Sequence, residues 1–338
     1  MYYGGIDAHK QYLTIVVVDR EGKRVHRAGR VDTDGREPLL ATLEPFRPLE
    51  VVVETCPFWP WIHDALRPTE VGFHLAHAAK VEAIAKSKKK TDKIDAELLA
   101  RMLLAGLIPE VYPKPADQRE VCCLVRLRAT LVRDRTRHCN RIHNQLQQRG
   151  LQVEREKLLR PTMREEVKEA TWPRLGPEAR RAVECHFEFI DHLTPKIKEL
   201  DEVIEARADA DPRAALLRSI PGIGPFRSLL LVGEVLPIER FASARKLVSF
   251  AGLAPTVRQS GLKDPYRGRI PKGANRWVRG ALVSAVSSHV RSAPESSLSR
   301  YYEAKKEALG WRTARVATAR KLCCAIHAML RTGELWRG

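Results

Sequence analysis

Residues 2–31 read YYGGIDAHKQYLTIVVVDREGKRVHRAGRV. Tyr2–Asp7 and Tyr12–Asp19 are rich in β-branched and aromatic residues, the Arg20-Glu21-Gly22 triplet supplies a turn, and Lys23–Val31 follows as a third candidate strand; three strands joined this closely begin a meander. Working outward, Pro38–Phe46 predicts a helix and EVVVE at 50–54 a short buried strand. Trp59–Leu66 predicts a second helix and Val71–Ala76 another strand. Strands alternating with helices predict an α/β unit, a mixed sheet with helices packed on it.

IPEVYPKP at 108–115 carries three prolines and predicts the end of this first domain. From Asp117 to Arg149, Val121, Leu124, Val125, Leu127, Leu131, Val132, Ile142 and Leu146 recur at helical spacing without Gly or Pro, which predicts a long amphipathic helix. Glu178–Ala208 is a second helical stretch, and Pro195 is expected to kink or divide it. Together they suggest an antiparallel helical arm. Beyond Ala214, a helix, the turn Pro221-Gly222-Ile223-Gly224 and a second helix from Pro225 suggest a helix-hairpin-helix, whose glycines and helix N-terminus would seat a phosphate. Further helices are expected at Ala242–Phe250, Asn275–Val290, Leu298–Leu309 and Thr313–Leu330, with a Gly-, Pro- and base-rich loop from Ala254 to Gly273. The expected domains are therefore 1–112, 113–210 and 211–338.

Hydrophobic residues make up 44% and charged residues 30% of the 338, the balance of a folded protein with a sizeable core. The net charge is +18, and residues 211–338, with 23 Lys and Arg against 8 Asp and Glu, carry +15 of it. That asymmetry favours a polyanionic partner for the C-terminal third. A membrane surface is disfavoured, because the chain has no apolar run of about 18 residues and no signal-like opening. The predicted long helix carries eight arginines between Arg119 and Arg149 against only Glu120 and Asp134, which suits a solvated helix face as well as a nucleic-acid or partner contact. Seven cysteines without a CxxC pair are neither a disulfide framework nor a zinc pattern, which points to a reducing, cytoplasmic setting.

Four acids stand where chemistry could use them. Asp7 closes the first strand and Glu54 another, at the kind of strand end that faces a ligand crevice. In KSKKKTDKIDAELLA at 86–100, Asp92 and Asp95 are three apart at a helix start and share a face. Convergent carboxylates suit a hard divalent cation such as Mg²⁺. Each acid alone is equally readable as a strand-end or helix-start residue. His9, beside Asp7, could assist such a metal site, but a strand-end histidine is more often a bystander.

The segments GIDAHK, VVVET and KTDKIDAELLA resemble the DEDD domain of the IS110 family of insertion-sequence transposases. The stretch from Phe241 to Leu282, with Gln259-Ser260-Gly261 inside it, resembles that family's C-terminal transposase domain. The resemblance implies an RNase H-like, RuvC-like fold for the N-terminal domain, with Asp7, Glu54, Asp92 and Asp95 as Mg²⁺ ligands. It implies that Ser260 attacks a phosphodiester and forms a covalent phosphoserine link to DNA. Arg258, Lys263, Arg267, Arg269 and Lys272 would surround that phosphate with positive charge, while Gly222 and Gly224 of the hairpin and Arg276 and Arg279 beyond the loop would hold backbone phosphates. It further implies donor and target DNA as substrates, a structured noncoding guide RNA, and a homo-oligomer, dimer or tetramer, with composite centres. Two other readings stay open: a structure-selective hydrolytic nuclease in which water replaces the serine, and a nucleic-acid-binding module without catalysis.

Overall fold

The computed structural model describes residues 1–85, 92–254, 257, 258, 266, 267 and 273–338, and of residues 85, 92, 93, 257, 258, 266 and 267 the backbone alone. The chain divides into two compact units, Met1–Gln118 and Arg119–Gly338.

The first unit is a five-stranded mixed sheet. β1 (Tyr2–Ala8), β2 (Tyr12–Val18) and β3 (Arg24–Asp32) form the antiparallel meander. After α1 (Glu37–Leu43), β4 (Leu49–Glu54) returns parallel to β1; after α2 (Trp59–Leu66), β5 (Gly72–Ala76) adds parallel to β4. The spatial order is β3-β2-β1-β4-β5, with β1 at the centre. Strand periodicity then assigns the faces. Ile6, Leu13, Ile15, Val17, Val51 and Val53 project to one side and pack with Leu39, Leu43, Ile62 and Leu66 of α1 and α2. Complete burial of each such side chain contributes about 1.5–3 kcal/mol.

Val52 projects to the other face, among Val81 of α3 (Ala78–Ala85) and Leu99, Met102 and Leu103 of α4 (Asp92–Leu104). There α4 lies directly on the central strand. A Cβ on Gly5 would stand 1.9 Å from the Ala96 carbonyl oxygen and 2.7 Å from the Ala100 nitrogen, so only glycine permits this approach.

The proline-rich stretch after α4 is more than a linker. Val111 donates its N–H to Leu75 O at 2.8 Å and His77 donates to Pro109 O at 2.9 Å, so residues 109–111 line the outer edge of β5. Covering an exposed edge strand in this way protects it from pairing with another chain. Glu110, carried on this segment, and Glu50 of β4 bracket the His74 imidazole at 2.6 and 2.7 Å.

The second unit is almost wholly helical. α5 (Ala116–Gln147) enters it from the first unit, and α8 (Pro177–Ala210) returns antiparallel to α5, with α6 (Arg155–Leu159) and α7 (Arg164–Thr171) between them in sequence. The antiparallel sense follows from the rungs Arg128–Asp201 (2.7 Å), Arg135–Thr194 (3.3 Å) and His138–His186 (3.2 Å). α8 runs through Pro195 without being divided there. Val183, Phe187 and Ile190 before it and Ile204 and Ala208 after it are anchored in two separate apolar clusters, which hold both halves despite the missing N–H.

The larger cluster belongs to α9 (Pro212–Arg218), α10 (Pro225–Val235), α11 (Ala244–Phe250), α12 (Arg276–Ser292), α13 (Ser297–Leu309) and α14 (Trp311–Thr332), joined by Val125 of α5. The stretch expected to be a loop contains a two-stranded ribbon, β6 (Val257–Arg258) paired antiparallel with β7 (Tyr266–Arg267). Among the described residues no helix is long and apolar enough to cross a membrane.

Candidate active site

Two groups of residues bear on chemistry, one in each unit. In the first unit, the parallel register pairs Ile6 with Val53, so the next residues, Asp7 and Glu54, stand side by side where β1 and β4 end. Alternation turns them to the face of Gly5 and Val52, which α4 covers. The direction of α4 is set by three contacts: Ala96 and Ala100 rest on Gly5, Leu104 reaches the Gly22 turn at the start of β1, and Glu97 takes Arg24 of β3 at 3.0 Å. Its N-terminus, with Asp92 and Asp95, therefore starts at the end of the sheet where Asp7 and Glu54 lie.

Asp7, Glu54 and Asp95 are all half-buried, and the side chain of Asp92 lies outside the described residues. Among the described residues no three His, Cys, Asp or Glu side chains close around one metal-sized point. The donor chemistry fits a hard divalent cation, because Asp7 and Glu54 end neighbouring strands on the sheet face where α4 begins. His9, expected to be a bystander, donates from Nε2 to Asp7 Oδ2 at 3.0 Å. Its ring also packs on Tyr12 with centroids 4.8 Å apart, and the Arg30 guanidinium lies 5.3 Å from the other ring of that pair, Tyr12. A hydrogen bond of this kind orients a carboxylate that ligates metal.

In the second unit, Ser260, Lys263, Arg269 and Lys272 lie outside the described residues, and Arg258 and Arg267 are described only as backbone in β6 and β7. What can be read is how the chain enters and leaves this segment. Asn275, at the N-cap of α12, donates its backbone N–H to Phe250 O, the last residue of α11, at 2.8 Å. Its Oδ1 accepts from the N–H groups of Trp277 (3.0 Å) and Val278 (3.1 Å), and its Nδ2 donates to Glu234 Oε2 at 2.9 Å. Glu234 Oε1 accepts from Arg126 Nε at 2.7 Å and from Arg126 Nη2 at 2.5 Å.

Glu234 is fully buried, and sequence reasoning passed it over. A signal was present: it is the one charged residue in the otherwise apolar run LLLVGEVLP at 229–237, and an acid buried there demands a partner. Arg276 is exposed and Arg279 half-buried on the first turns of α12. The guanidinium groups of Arg126, Arg133 and Arg276 stand 5.8, 5.5 and 5.2 Å from the centroid of Trp277, a concentration of positive charge on one ring.

The turn between α9 and α10 is built for close packing. Gly222 has φ +89°, and a Cβ there would stand 2.5 Å from the His289 nitrogen of α12. His289 Nδ1 donates to Pro221 O (2.8 Å), and Arg227 donates to Gly222 O (2.7 Å) and to Ser284 Oγ (3.2 Å). Burial, reinforced by the nearby charges of Arg291 and Arg128, holds the Arg227 pKa below its usual value. Gly224 is the N-cap of α10, and no side chain caps that terminus. The Gly222 conformation is thus explained by helix packing, and the turn leaves a helix N-terminus beside a half-buried arginine.

Two family models match the chain in separate stretches. The DEDD domain model of IS110 transposases, described as Transposase, matches residues 4–150. The model described as Transposase IS116/IS110/IS902 family matches residues 214–303. The chain is 28% identical to the transposase for insertion sequence element IS1111A of Coxiella burnetii, over 98% of its own length and 90% of that protein. It is 26% identical to the transposase for insertion sequence element IS1328 of Yersinia enterocolitica, over 60% of the chain and 59% of the relative. A pilin gene-inverting protein of Moraxella bovis is 29% identical, over 60% of the chain and 55% of the relative.

Proposed function

Because the chain belongs to the IS110 family of insertion-sequence transposases, we propose that it cuts and exchanges DNA strands through a phosphoserine intermediate formed by Ser260 and dependent on Mg²⁺. In this reading the first unit is an RNase H-like, RuvC-like domain, supported by its sheet order and antiparallel meander. The observation that carries the proposal is the meeting of Asp7, Glu54 and the N-terminus of α4 at one end of one sheet face. Asp7, Glu54, Asp92 and Asp95 would hold the cation, which supplies Lewis-acid stabilisation of charge on the phosphate and its oxygens.

The remaining work falls to the chain's own groups. The Ser260 hydroxyl gives up its proton, its Oγ forms a bond to phosphorus, and one phosphorus–oxygen ester bond of the DNA breaks. The departing sugar oxygen takes up a proton, and a later attack by a DNA hydroxyl on the phosphoserine releases the enzyme and seals the exchanged strand. Each step exchanges one ester bond for another, so no oxidant or energy-rich co-substrate is needed. His9 orients Asp7. Arg258, Lys263, Arg267, Arg269 and Lys272 offset phosphate charge near Ser260, while Arg276, Arg279 and the α9–α10 turn at Gly222 and Gly224 hold backbone phosphates. Guidance by a structured RNA and assembly into a dimer or tetramer with composite centres belong to the same proposal, resting on the family resemblance.

The test is denaturing electrophoresis of end-labelled element DNA after reaction with Mg²⁺. Wild-type protein is expected to leave label covalently attached to protein, and Ser260→Ala to leave none while retaining DNA binding. Free cleaved ends without attached protein would favour the hydrolytic nuclease instead.

A further inference from the structure

A buried carboxylate is an expensive way to fill the core of a helical unit. An ion pair replaced by apolar residues of similar volume is often as stable, so stability alone does not account for an acid at position 234. Glu234 is fully buried on α10, and its two oxygens face different elements: Oε1 is held by Arg126 of α5 and Oε2 by Asn275. The backbone of the same turn is also gripped, since Arg240 donates to Glu234 O at 2.6 Å and to Val235 O at 3.1 Å.

Asn275 spends every polar group it has on the protein. Its backbone N–H is tied to the end of α11, its side-chain oxygen to the start of α12 and its side-chain nitrogen to Glu234. The end of α11 and the start of α12 are the two feet of the segment that contains β6 and β7. Ser260 stands two residues beyond Arg258, which pairs with Tyr266. The Glu234 carboxylate is therefore tied, through Asn275, to both feet of that segment: the Asn275 side chain reaches it from the start of α12, and the Asn275 backbone N–H joins that residue to the end of α11.

We propose that Glu234 is a positioning residue for strand cleavage, acting through Asn275 to hold the feet of the Ser260 segment in register with the bound phosphodiester. This inference rests on the reading of Ser260 as nucleophile. A loose foot would leave binding intact and lower the rate, because displacements of about an ångström at a reacting centre are costly even when affinity is kept.

The experiment measures the rate of protein–DNA adduct formation at saturating DNA, alongside DNA affinity and the thermal midpoint. Asn275→Ser keeps an N-cap hydroxyl and leaves the Glu234–Arg126 pair untouched, but has no amide to reach Glu234. It is expected to bind DNA within about threefold of wild type and to form adduct at least tenfold more slowly. Glu234→Gln combined with Asn275→Asp reverses donor and acceptor while conserving net charge, and is expected to recover most of the rate. This pair also serves if Asn275→Ser fails to fold. A folded Asn275→Ser that forms adduct at the wild-type rate overturns the positioning role, as does a folded double variant no faster than Glu234→Gln alone. Ser260→Ala, run on the same gel, separates the two failures: adduct persisting in it overturns the nucleophile reading and this inference together, whereas its absence beside a fast Asn275→Ser overturns only the inference.

Discussion

The two candidate regions are held in place by different physics. In the first unit, carboxylates are set by backbone: the pairing of Ile6 with Val53 carries Asp7 and Glu54 to the same level, and a glycine lets α4 lie against the strand. In the second unit, the ends of the Ser260 segment are set by side chains: a buried acid, an arginine and an asparagine drawn from α5, α10 and the α12 cap. Register is a property of whole strands and tolerates most side-chain changes, while a side-chain lock depends on a few particular atoms. The acidic end should thus be sensitive to backbone approach, and the serine end to single polar substitutions.

The largest effect that sharpens this contrast is expected at the close-approach glycines. Gly5→Ala places a Cβ 1.9 Å from a carbonyl oxygen that belongs to helix backbone, and is expected to destabilise the first unit by about 3 kcal/mol or more. Gly222→Ala combines φ +89° with a Cβ 2.5 Å from the His289 nitrogen, and should cost the second unit about 2–3 kcal/mol. Calorimetry with segment-resolved amide exchange checks both. If Gly5→Ala unfolds at the wild-type temperature, the account of how α4 is seated is wrong.

Much of the first unit was legible because strand periodicity and short turns are local. The meander, EVVVE and Trp59–Leu66 correspond to observed elements. The pairing of residues 109–111 with β5 was not legible, because three prolines read as a linker and the partner strand is more than thirty residues away. In the second unit the long helices followed from apolar spacing, and α8 continues through Pro195 because tertiary anchoring on both sides outweighs one lost hydrogen bond. The β6–β7 ribbon escaped notice in a Gly- and Pro-rich stretch with no alternation to mark it. Of the site, Asp7, Glu54 and the α4 acids stood out as polar residues at element ends. The His9–Asp7 bond and the Glu234–Asn275 link did not, since each exists only once the chain has folded.

A smaller, opposite pair of effects is expected from histidines. For His74, burial is the largest influence and disfavours the charge, but the hydrogen bonds and charges of Glu110 and Glu50 together outweigh it and raise the pKa above 6.5. Its contribution to the first unit is therefore fully present below pH 6.5 and is lost as pH rises through the elevated folded value. His138 and His186 of the helical pair are shifted the other way, chiefly by burial and then by Arg141 and, for His186, by His138 as well. Their folded-state pKa values lie below 6.5, so acidification below pH 6.5 protonates the unfolded chain first and weakens the second unit. Between pH 8 and pH 5.5, amide protection should rise in β4 and β5 and fall along α5 and α8. Changes of the same sign in both units would break this contrast, and His74→Gln should abolish the first half of it.

Strand cleavage is proposed to depend on both the carboxylates of the first unit and the hydroxyl of the second. The most direct measurement is the yield of covalent protein–DNA adduct from Asp7→Asn, with Ser260 intact and DNA saturating. Adduct is expected to fall at least a hundredfold while DNA binding holds. Adduct formed at the wild-type rate by a folded Asp7→Asn protein would mean that the serine works without the acidic end, and would contradict that dependence.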